Sequence, residues 1–409
     1  MTNHIKEIIG NIWESSDIFQ NLIYICDEYG PRPSGSDSAK STAIFLTEKL
    51  KEYGLTPFTH KFEHPYWEIE EAVFNVNDKP IRGIPFHYSK NSELTEECYL
   101  LRNPSEESFN HANFKGKILI VEPTKKRHGG MSRKEMYKKA IEGGAVAFGQ
   151  MSTERGGIIE TGSISAKITE IPAFSISNEA GNFINRNQKR GKGNLALKIR
   201  GKVIQKQAEN IIGDMTGKSD NTVLLGAHYD TWDIGPGAFD NCTGMSTVLG
   251  ITEAISKSGL KNNLSSLLRV VFFSAEELGM LGSKAYVKDF IGTENEEKIS
   301  LMMNYDCTSI KDGVRGAFTS NNMKIHKHIE KFVGMYGFNV KMSLRPPVNT
   351  DGEPFFKRKI PTFGLAQFTS PSYMHTAFDT PDKISEDELK NSTAISGAIL
   401  CDLMQKNVI

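Results

Sequence analysis

The stretch Thr222-Val-Leu-Leu-Gly-Ala-His-Tyr-Asp230 decides the fold of the second half of the chain. It begins as an apolar run and changes abruptly to the polar residues His228 and Asp230. A short apolar run of this kind is typical of a strand that is buried on both faces, as in a parallel sheet covered by helices. The change to polar residues marks the point where the predicted strand ends.

The same pattern recurs further along the chain. Apolar runs at residues 267–273, 301–304 and 360–366 alternate with helical stretches at residues 243–258 and 385–405. This alternation predicts an α/β fold with a mixed, largely parallel sheet between layers of helices. Acidic residues follow two of these strands as Ser-Ala-Glu276-Glu277 and Tyr-Asp306. Because such sheets bind ligands at the carboxyl ends of their strands, we expect these groups to meet at one edge.

The first half of the chain has a different pattern of apolar and polar residues. Residues 1–53 are predicted to be helical, whereas residues 60–200 contain short strand-like runs between turns, such as Gly116-Lys-Ile-Leu-Ile-Val121. A chain of 409 residues is long for one domain. We therefore predict a discontinuous main domain, residues 1–60 and 205–409, with a smaller β-rich domain, residues 61–204, inserted into it.

Composition excludes several classes of protein. Basic and acidic residues balance at 49 each, which argues against a nucleic-acid partner. The five cysteines are odd in number and include no Cys-x-x-Cys pair, which favours reduced thiols. The first residues lack the apolar core of a secretion signal, and no run approaches the roughly 20 apolar residues that cross a bilayer. We expect a cytoplasmic protein that does not bind membranes.

Two polar groups stand near the first strand end. His228 can bind a metal ion, and Asp230, two residues on, can orient the imidazole through its other nitrogen. Alone, this tripeptide is more simply explained as a surface turn. Asp240 lies in the glycine-rich stretch Gly235-Pro-Gly-Ala-Phe-Asp-Asn-Cys-Thr-Gly244, where it either caps the next helix or bridges two metal ions.

Three further positions complete the candidate set. Glu276 and Glu277 suit the first turn of a helix, or the pair of a metal ligand and a proton-accepting base. A buried carboxylate at Asp306 requires a metal ion or an arginine as partner, and His375 lies in a polar loop. Together, two histidines and three carboxylates suit two zinc ions that share one carboxylate.

The order of these motifs resembles the co-catalytic zinc peptidases, which include bacterial and yeast aminopeptidases and the glutamate carboxypeptidases. The matching order is His-x-Asp230, Asp240-Asn, Glu276-Glu277, Asp306 and His375-Thr-x-x-Asp-Thr. Residues 228–240 are especially similar to the plasma glutamate carboxypeptidase branch. The inserted region, through residues 116–121, 144–145 and 171–173, resembles a protease-associated domain.

The resemblance implies a role for each position. Asp240 would bridge two zinc ions, with Glu277 and His375 completing one site and His228 and Asp306 the other. Glu276 would be the general base. Asp230 would hold the imidazole of His228, and the Asp240–Asn241 peptide bond would be cis. Relatives of this kind often dimerise, so a homodimer is an expectation from the resemblance alone.

The activity implied is hydrolysis of a peptide bond at one end of a short peptide. We predict an aminopeptidase, with a dipeptidase or carboxypeptidase as the alternative. Acids such as Asp351 and Glu353 would bind a free amine, and bases would bind a free carboxylate; the candidate bases are Arg345, Arg358 and Lys359. A non-catalytic receptor-like protein and a glutaminyl cyclase are further alternatives on the same fold.

Overall fold

The structure, a computed structural model, describes residues 2–124, 130–292, 297–367, 371–406 and 408–409. Its chain divides into two units. The first unit consists of Met1–His64, Lys206–Met374 and Asp379–Ile409. The second consists of Pro65–Gln205 together with the tetrapeptide His375–Phe378.

The elements of regular structure are as follows. The helices are α1 (Asn3–Glu14), α2 (Asp17–Tyr24), α3 (Asp37–Glu52), α4 (Glu106–His111), α5 (Arg133–Glu142), α6 (Asn178–Gln188), α7 (Thr243–Ser256), α8 (Leu281–Phe290), α9 (Met323–Tyr336), α10 (Gly352–Lys357) and α11 (Glu386–Gln405). The strands are β1 (Thr56–Val76), β2 (Lys79–Pro80), β3 (Gly83–Pro85), β4 (Ser92–Arg102), β5 (Ile118–Glu122), β6 (Ala147–Met151), β7 (Ala173–Ile176), β8 (Asn194–Met215), β9 (Thr222–His228), β10 (Leu267–Phe273), β11 (Ile299–Tyr305), β12 (Arg315–Ser320), β13 (Lys341–Leu344) and β14 (Thr362–Gln367).

The sheet of the first unit has the strand order β13-β12-β14-β11-β9-β10-β8. Its central strand β9 pairs in parallel with both β10 and β11, and β11 pairs in parallel with β14. Antiparallel pairs join β10 to β8 and β12 to β14. The sheet is therefore mixed and largely parallel, and the predicted fold class is confirmed.

Both faces of this sheet are apolar, as the continuous apolar runs indicated. Along β9, Val223 and Leu225 belong to one core, which also contains residues of α1, α7 and α11. Leu224 points to the opposite side and belongs to a second core with Tyr286 of α8 and Phe355 of α10. Because side chains alternate along a strand, a run that is apolar at every position must be covered by helices on both sides.

Local sequence signals explain where several helices begin. The Ser36 hydroxyl accepts a hydrogen bond from the Ala39 N–H at the start of α3, as expected of a capping residue.

Helix α7 is buried along nearly its whole length and therefore lies inside the fold. In the described part of the chain, no helix is both long enough and apolar enough to span a bilayer.

The second unit has its own sheet, with the order β8-β4-β5-β6-β7-β3. Strands β4 to β7 pair in parallel, whereas β3 and residues 194–199 of β8 pair antiparallel with their neighbours. Two apolar clusters pack within this unit, one around Trp67 and Phe174 and one around Phe114 and Phe148. Its assignment to the protease-associated domains stays a prediction.

A buried arginine ties strands β8 and β10 together. Arg269 stands opposite Asp214 in the antiparallel register and donates two hydrogen bonds of 2.7 Å to its carboxylate. Its remaining donors bond to Glu297 and, at 3.0 Å, to the Tyr286 hydroxyl. The charge of Arg269 is therefore compensated on both sides of the guanidinium.

We predict that Arg269→Met lowers the free energy of unfolding by about 2–4 kcal/mol, because it leaves partly buried carboxylates without a cation. Urea-induced unfolding followed by circular dichroism measures the change. Arg200→Met is the matched control, since Arg200 also bridges two acids, Glu71 and Glu93, but is largely exposed. The control should change stability by no more than about 0.5 kcal/mol. Equal losses in the two variants would contradict the prediction.

Candidate metal centre

The polar residues that follow the parallel strands come together at one edge of the sheet. His228 is the last residue of β9 and lies opposite Phe273, the last residue of β10. Glu276 and Glu277 follow β10 directly, and Asp306 follows Tyr305 at the end of β11. Neighbouring parallel strands that end at the same level deliver these side chains to one place, as the sequence indicated.

A first group of metal-ligating atoms contains His228, Asp240 and Asp306. Nε2 of His228 lies 3.2 Å from Oδ1 of Asp240 and 3.7 Å from Oδ1 of Asp306. The imidazole is 1% exposed, and among the described residues its Nε2 has no hydrogen-bond partner with acceptable geometry. A buried nitrogen facing two carboxylate oxygens is the arrangement expected where a cation lies between them.

The charges around His228 also favour a cation at this position. Burial lowers the pKa of the His228 imidazole, but its contacts with the carboxylates of Asp230, Asp240 and Asp306 outweigh burial and raise that pKa well above the ordinary value. The carboxylates thus favour a positive charge at this position. A proton on His228 or a bound metal ion would supply it.

A second group contains Asp240, Glu277 and His375. One ligand atom from each residue lies within 4.8 Å of the others. Asp240 belongs to both groups and is therefore the residue that two metal ions would share. His375 adopts a positive φ of 58°, and its carbonyl oxygen accepts a hydrogen bond of 2.8 Å from the Thr161 N–H.

Glu276 belongs to neither group. Burial raises the pKa of its carboxyl group well above the ordinary value; His228 opposes this, and Asp306, Asp351 and Glu277 add to it. Burial likewise raises the pKa of Glu277, with Asp240 as the strongest acidic contributor. Acids crowded in this way repel each other, and divalent cations relieve that repulsion. Histidine and carboxylate ligands in two groups of three fit zinc.

Asp230 plays a broader part than the sequence suggested. The nearest Asp230 atom to Nδ1 of His228 is its backbone carbonyl oxygen at 3.1 Å, whereas the carboxylate oxygen Oδ1 lies at 3.6 Å. The carboxylate instead accepts hydrogen bonds from the N–H groups of Glu276, at 3.1 Å, and Glu277, at 3.3 Å. Asp230 therefore orients both the imidazole and the two glutamates.

The segment that carries Asp240 is held by Asn241 and Asp379, for which the sequence alone predicted no role as ligand or base. The Asn241 amide donates to the Tyr305 carbonyl at 3.0 Å and accepts from the Cys307 N–H at 3.1 Å, on either side of Asp306. The Asp379 carboxylate accepts from the N–H groups of Phe239, at 2.7 Å, and Asp240, at 3.1 Å. The Asp240–Asn241 bond is cis, as the resemblance implied.

Asp351, which precedes α10, is another acid close to the centre. It is 1% exposed, and burial raises the pKa of its carboxyl group to about 7, while His228 opposes the shift. Glu353, the other acidic candidate, is partly buried and pairs with Lys357, and the basic candidates are exposed. Arg345 stacks on the ring of Phe318, and Arg358 and Lys359 are exposed.

Gly244, at the start of α7, allows the Asp240 segment to approach β11. A Cβ atom at this position would lie 2.2 Å from the Tyr305 carbonyl oxygen and 2.3 Å from Oδ1 of Asn241. Both distances are far shorter than van der Waals contact. Only glycine therefore allows the Asn241 amide to bridge the two segments that carry Asp240 and Asp306.

Comparison with known proteins agrees with this geometry. Residues 210–400 match the family model described as Peptidase family M28. "Leucine aminopeptidase 2" of Trichophyton rubrum is 26% identical over 362 residues, which cover 84% of this chain and 70% of that protein. A "probable leucine aminopeptidase 2" of Aspergillus oryzae is 25% identical and covers 87% of this chain and 72% of its own length.

Solved structures share the fold. A zinc aminopeptidase from Bacillus subtilis matches with a TM-score of 0.78 at 20% identity and covers 95% of each chain. A peptidase M28 precursor from Shewanella amazonensis matches with a TM-score of 0.80 at 23% identity, over 98% of this chain and 95% of the other. The prediction of a metallo-exopeptidase related to the co-catalytic zinc aminopeptidases is confirmed. The glutamate carboxypeptidase branch stays a prediction.

We predict that Gly244→Ala lowers the free energy of unfolding by about 1–3 kcal/mol, because the added methyl group collides with backbone and amide atoms. It should also reduce zinc binding, measured by isothermal titration calorimetry, because Asn241 is displaced. Gly334→Ala is the control: Gly334 lies in helix α9 with nothing within 4 Å of an added Cβ atom. That change should be neutral or stabilise by up to about 1 kcal/mol. Unchanged zinc affinity in Gly244→Ala would contradict the role assigned to Asn241.

Proposed function

We propose that this chain, whose residues 210–400 match the model of peptidase family M28, is a two-zinc aminopeptidase that removes residues from the amino end of short peptides. One observation carries the proposal: two groups of three ligand atoms lie at one sheet edge and share Asp240. In this assignment His228 and Asp306 would help to hold one zinc ion, and Glu277 and His375 would help to hold the other. Asp240, which belongs to both groups, would be the ligand common to the two sites.

In the proposed hydrolysis, the metal ions and the side chains carry out different chemical tasks. Zinc held by these groups would supply Lewis acidity for the scissile carbonyl and for the attacking water. Glu276, which is in neither ligand group, accepts the proton of the attacking water and returns it to the departing amine. Burial raises the pKa of its carboxyl group, which favours retention of the proton until the amine departs.

Asp230 would position the reacting groups without touching the substrate. Its carboxylate holds the backbone N–H groups of Glu276 and Glu277, so the base and one zinc ligand are fixed by a single anchor. Its carbonyl oxygen accepts from Nδ1 of His228 and directs Nε2 towards the metal. Neutralising Asp230 would therefore disturb both zinc sites and the base together.

The charge around the centre favours recognition of an amine. Asp351 is buried close to His228 and Asp306, whereas Arg345, Arg358 and Lys359 are exposed. An acidic pocket attracts the positive amino end of a peptide and repels a free carboxylate. The names of the fungal relatives, which are called leucine aminopeptidases, support the same choice. A dipeptidase or carboxypeptidase is the alternative, because the metal groups alone do not select one end of the peptide.

We predict that Glu276→Gln and Glu277→Gln inactivate the enzyme in different ways. Glu276→Gln should keep its zinc while kcat on leucine p-nitroanilide falls by about 10²–10⁴-fold, because a base is lost. Glu277→Gln, at the neighbouring position, should lose zinc from one site. Mass spectrometry of metal content and steady-state kinetics measure both effects. Loss of zinc in Glu276→Gln would refute the assignment of Glu276 as base.

A panel of blocked peptides tests the choice of peptide end. The zinc-loaded enzyme should cleave Leu-Gly-Gly and its C-terminal amide at similar kcat/KM. It should cleave N-acetyl-Leu-Gly-Gly at least about 100-fold more slowly, because the charged amine no longer pairs with the acidic pocket. Rapid cleavage of the acetylated peptide would overturn the aminopeptidase assignment. Cyclisation of an N-terminal glutamine without hydrolysis would indicate a glutaminyl cyclase instead.

A further inference from the structure

Two cysteines that are 216 positions apart in sequence meet behind the metal centre. Cys26 lies in the helical turn Ile25–Tyr29 and Cys242 at the end of the turn Ala238–Cys242, and these two segments pack against each other. The thiol of Cys26 donates to Sγ of Cys242 across 3.6 Å. Both side chains are buried, with 4% and 0% of their surface exposed.

Arg32 holds one of the two sulfur atoms. Its guanidinium is fully buried and donates to the carbonyl oxygens of Tyr229, Gly30 and Pro236 at 2.6–2.9 Å. It also donates to Sγ of Cys242 at 3.1 Å. The sulfur atom is thus fixed towards Cys26 by a rigid neighbour, and the pair does not depend on a freely rotating side chain.

The segment that carries Cys242 also carries the shared metal ligand. Cys242 is two residues beyond Asp240, and Asn241 between them bonds to both sides of Asp306. The opposite side of the segment is anchored by Asp379 through the N–H groups of Phe239 and Asp240. If Cys242 moves, the backbone of Asp240 and Asn241 therefore has to accommodate the displacement.

We propose that Cys26 and Cys242 form a redox modification site, at which hydrogen peroxide or a related peroxide joins them in a reversible disulfide that disables the metal centre. The sulfur–sulfur bond forms as the oxygen–oxygen bond of the peroxide breaks. The two thiols lose two electrons and two protons, and hydrogen peroxide is reduced to two water molecules. This goes beyond the proposed peptidase function, since that function uses neither sulfur atom.

The geometric consequence follows from the length of the new bond. A disulfide bond is about 2.05 Å long, so the two sulfur atoms must approach by about 1.5 Å from their separation of 3.6 Å. Helix α7 follows Cys242 and is packed inside the fold, so it resists this movement. The displacement is then taken up at Asn241 and Asp240, which weakens the zinc sites that share Asp240.

The test exposes the full-length, zinc-loaded protein to excess hydrogen peroxide over several hours, because both thiols are buried and react slowly. Peptide mapping under non-reducing conditions should identify a Cys26–Cys242 link in a chain lighter by two hydrogen atoms. Zinc release, followed with a chromogenic chelator, should accompany the link. Dithiothreitol and added zinc should restore activity. The mapped disulfide is a readout that does not depend on peptidase activity.

Cys26→Ser is the decisive variant, because Cys26 has no place among the proposed ligands or the base. We expect it to keep its basal activity and to retain zinc under peroxide. Cys98→Ser and Cys401→Ser, which remove buried cysteines elsewhere, should behave like the unaltered chain. If Cys26→Ser fails to fold, Cys26→Ala replaces it, and the disulfide map of the unaltered chain decides.

Three outcomes would overturn the proposal. The first is peroxide treatment that yields no Cys26–Cys242 link. The second is a link that leaves zinc content unchanged. The third is inactivation that proceeds equally in Cys26→Ser, for instance through oxidation of Cys307 beside Asp306.

Discussion

The repulsion between closely placed acids is the constraint on which the metal centre depends. Carboxylates surround a single buried imidazole at the edge where the parallel strands end. They are Asp230, Asp240, Glu276, Glu277, Asp306 and Asp351. Without cations, several of them can remain buried only by taking up protons, which is why burial raises the pKa of Glu276, Glu277 and Asp351. Two zinc ions would relieve the repulsion between the same acids without protonating them.

Hydrogen bonds between side chains and backbone groups hold these acids in place. The Asn241 amide joins the segment of Asp240 to the chain on both sides of Asp306. Asp379 fixes the same segment from another direction, and Asp230 fixes the backbone of Glu276 and Glu277. Each of these carboxylates and amides bonds to peptide groups, so these contacts do not themselves require a metal ion. Such preorganisation is what a catalytic metal site requires.

The short segment of residues 236–242 contains several of the groups on which the metal centre depends. It contributes the shared ligand Asp240, the bridging amide of Asn241, and the sulfur atom of Cys242, which lies close to Cys26. The Pro236 carbonyl accepts a hydrogen bond from the buried guanidinium of Arg32, so a residue near the N-terminus supports the same segment. In the proposed disulfide, a displacement of Cys242 would reach Asp240 through Asn241, the one residue between them.

The sequence alone determined the fold class and the positions of the strand ends. The continuous apolar runs at β9, β10 and β11 required burial on both faces, and the polar residues after them required one common edge. These are local patterns, because alternation along a strand and the end of an apolar run are visible in a few consecutive residues. The order of the motifs then indicated a resemblance to the zinc peptidases, and residues 210–400 match the peptidase M28 model.

Only the tertiary structure decided how the candidate residues act together. Asp379 holds the backbone of Asp240 from 139 positions away, and Cys26 reaches Cys242 across 216 positions. Asp230 turned out to hold the two glutamates with its carboxylate and His228 with its carbonyl oxygen. No local pattern encodes such contacts, because they depend on which distant segments the folded chain brings within hydrogen-bonding distance. The types of residue were visible in the sequence, and their partners were set by the packing of the sheet and its connecting segments.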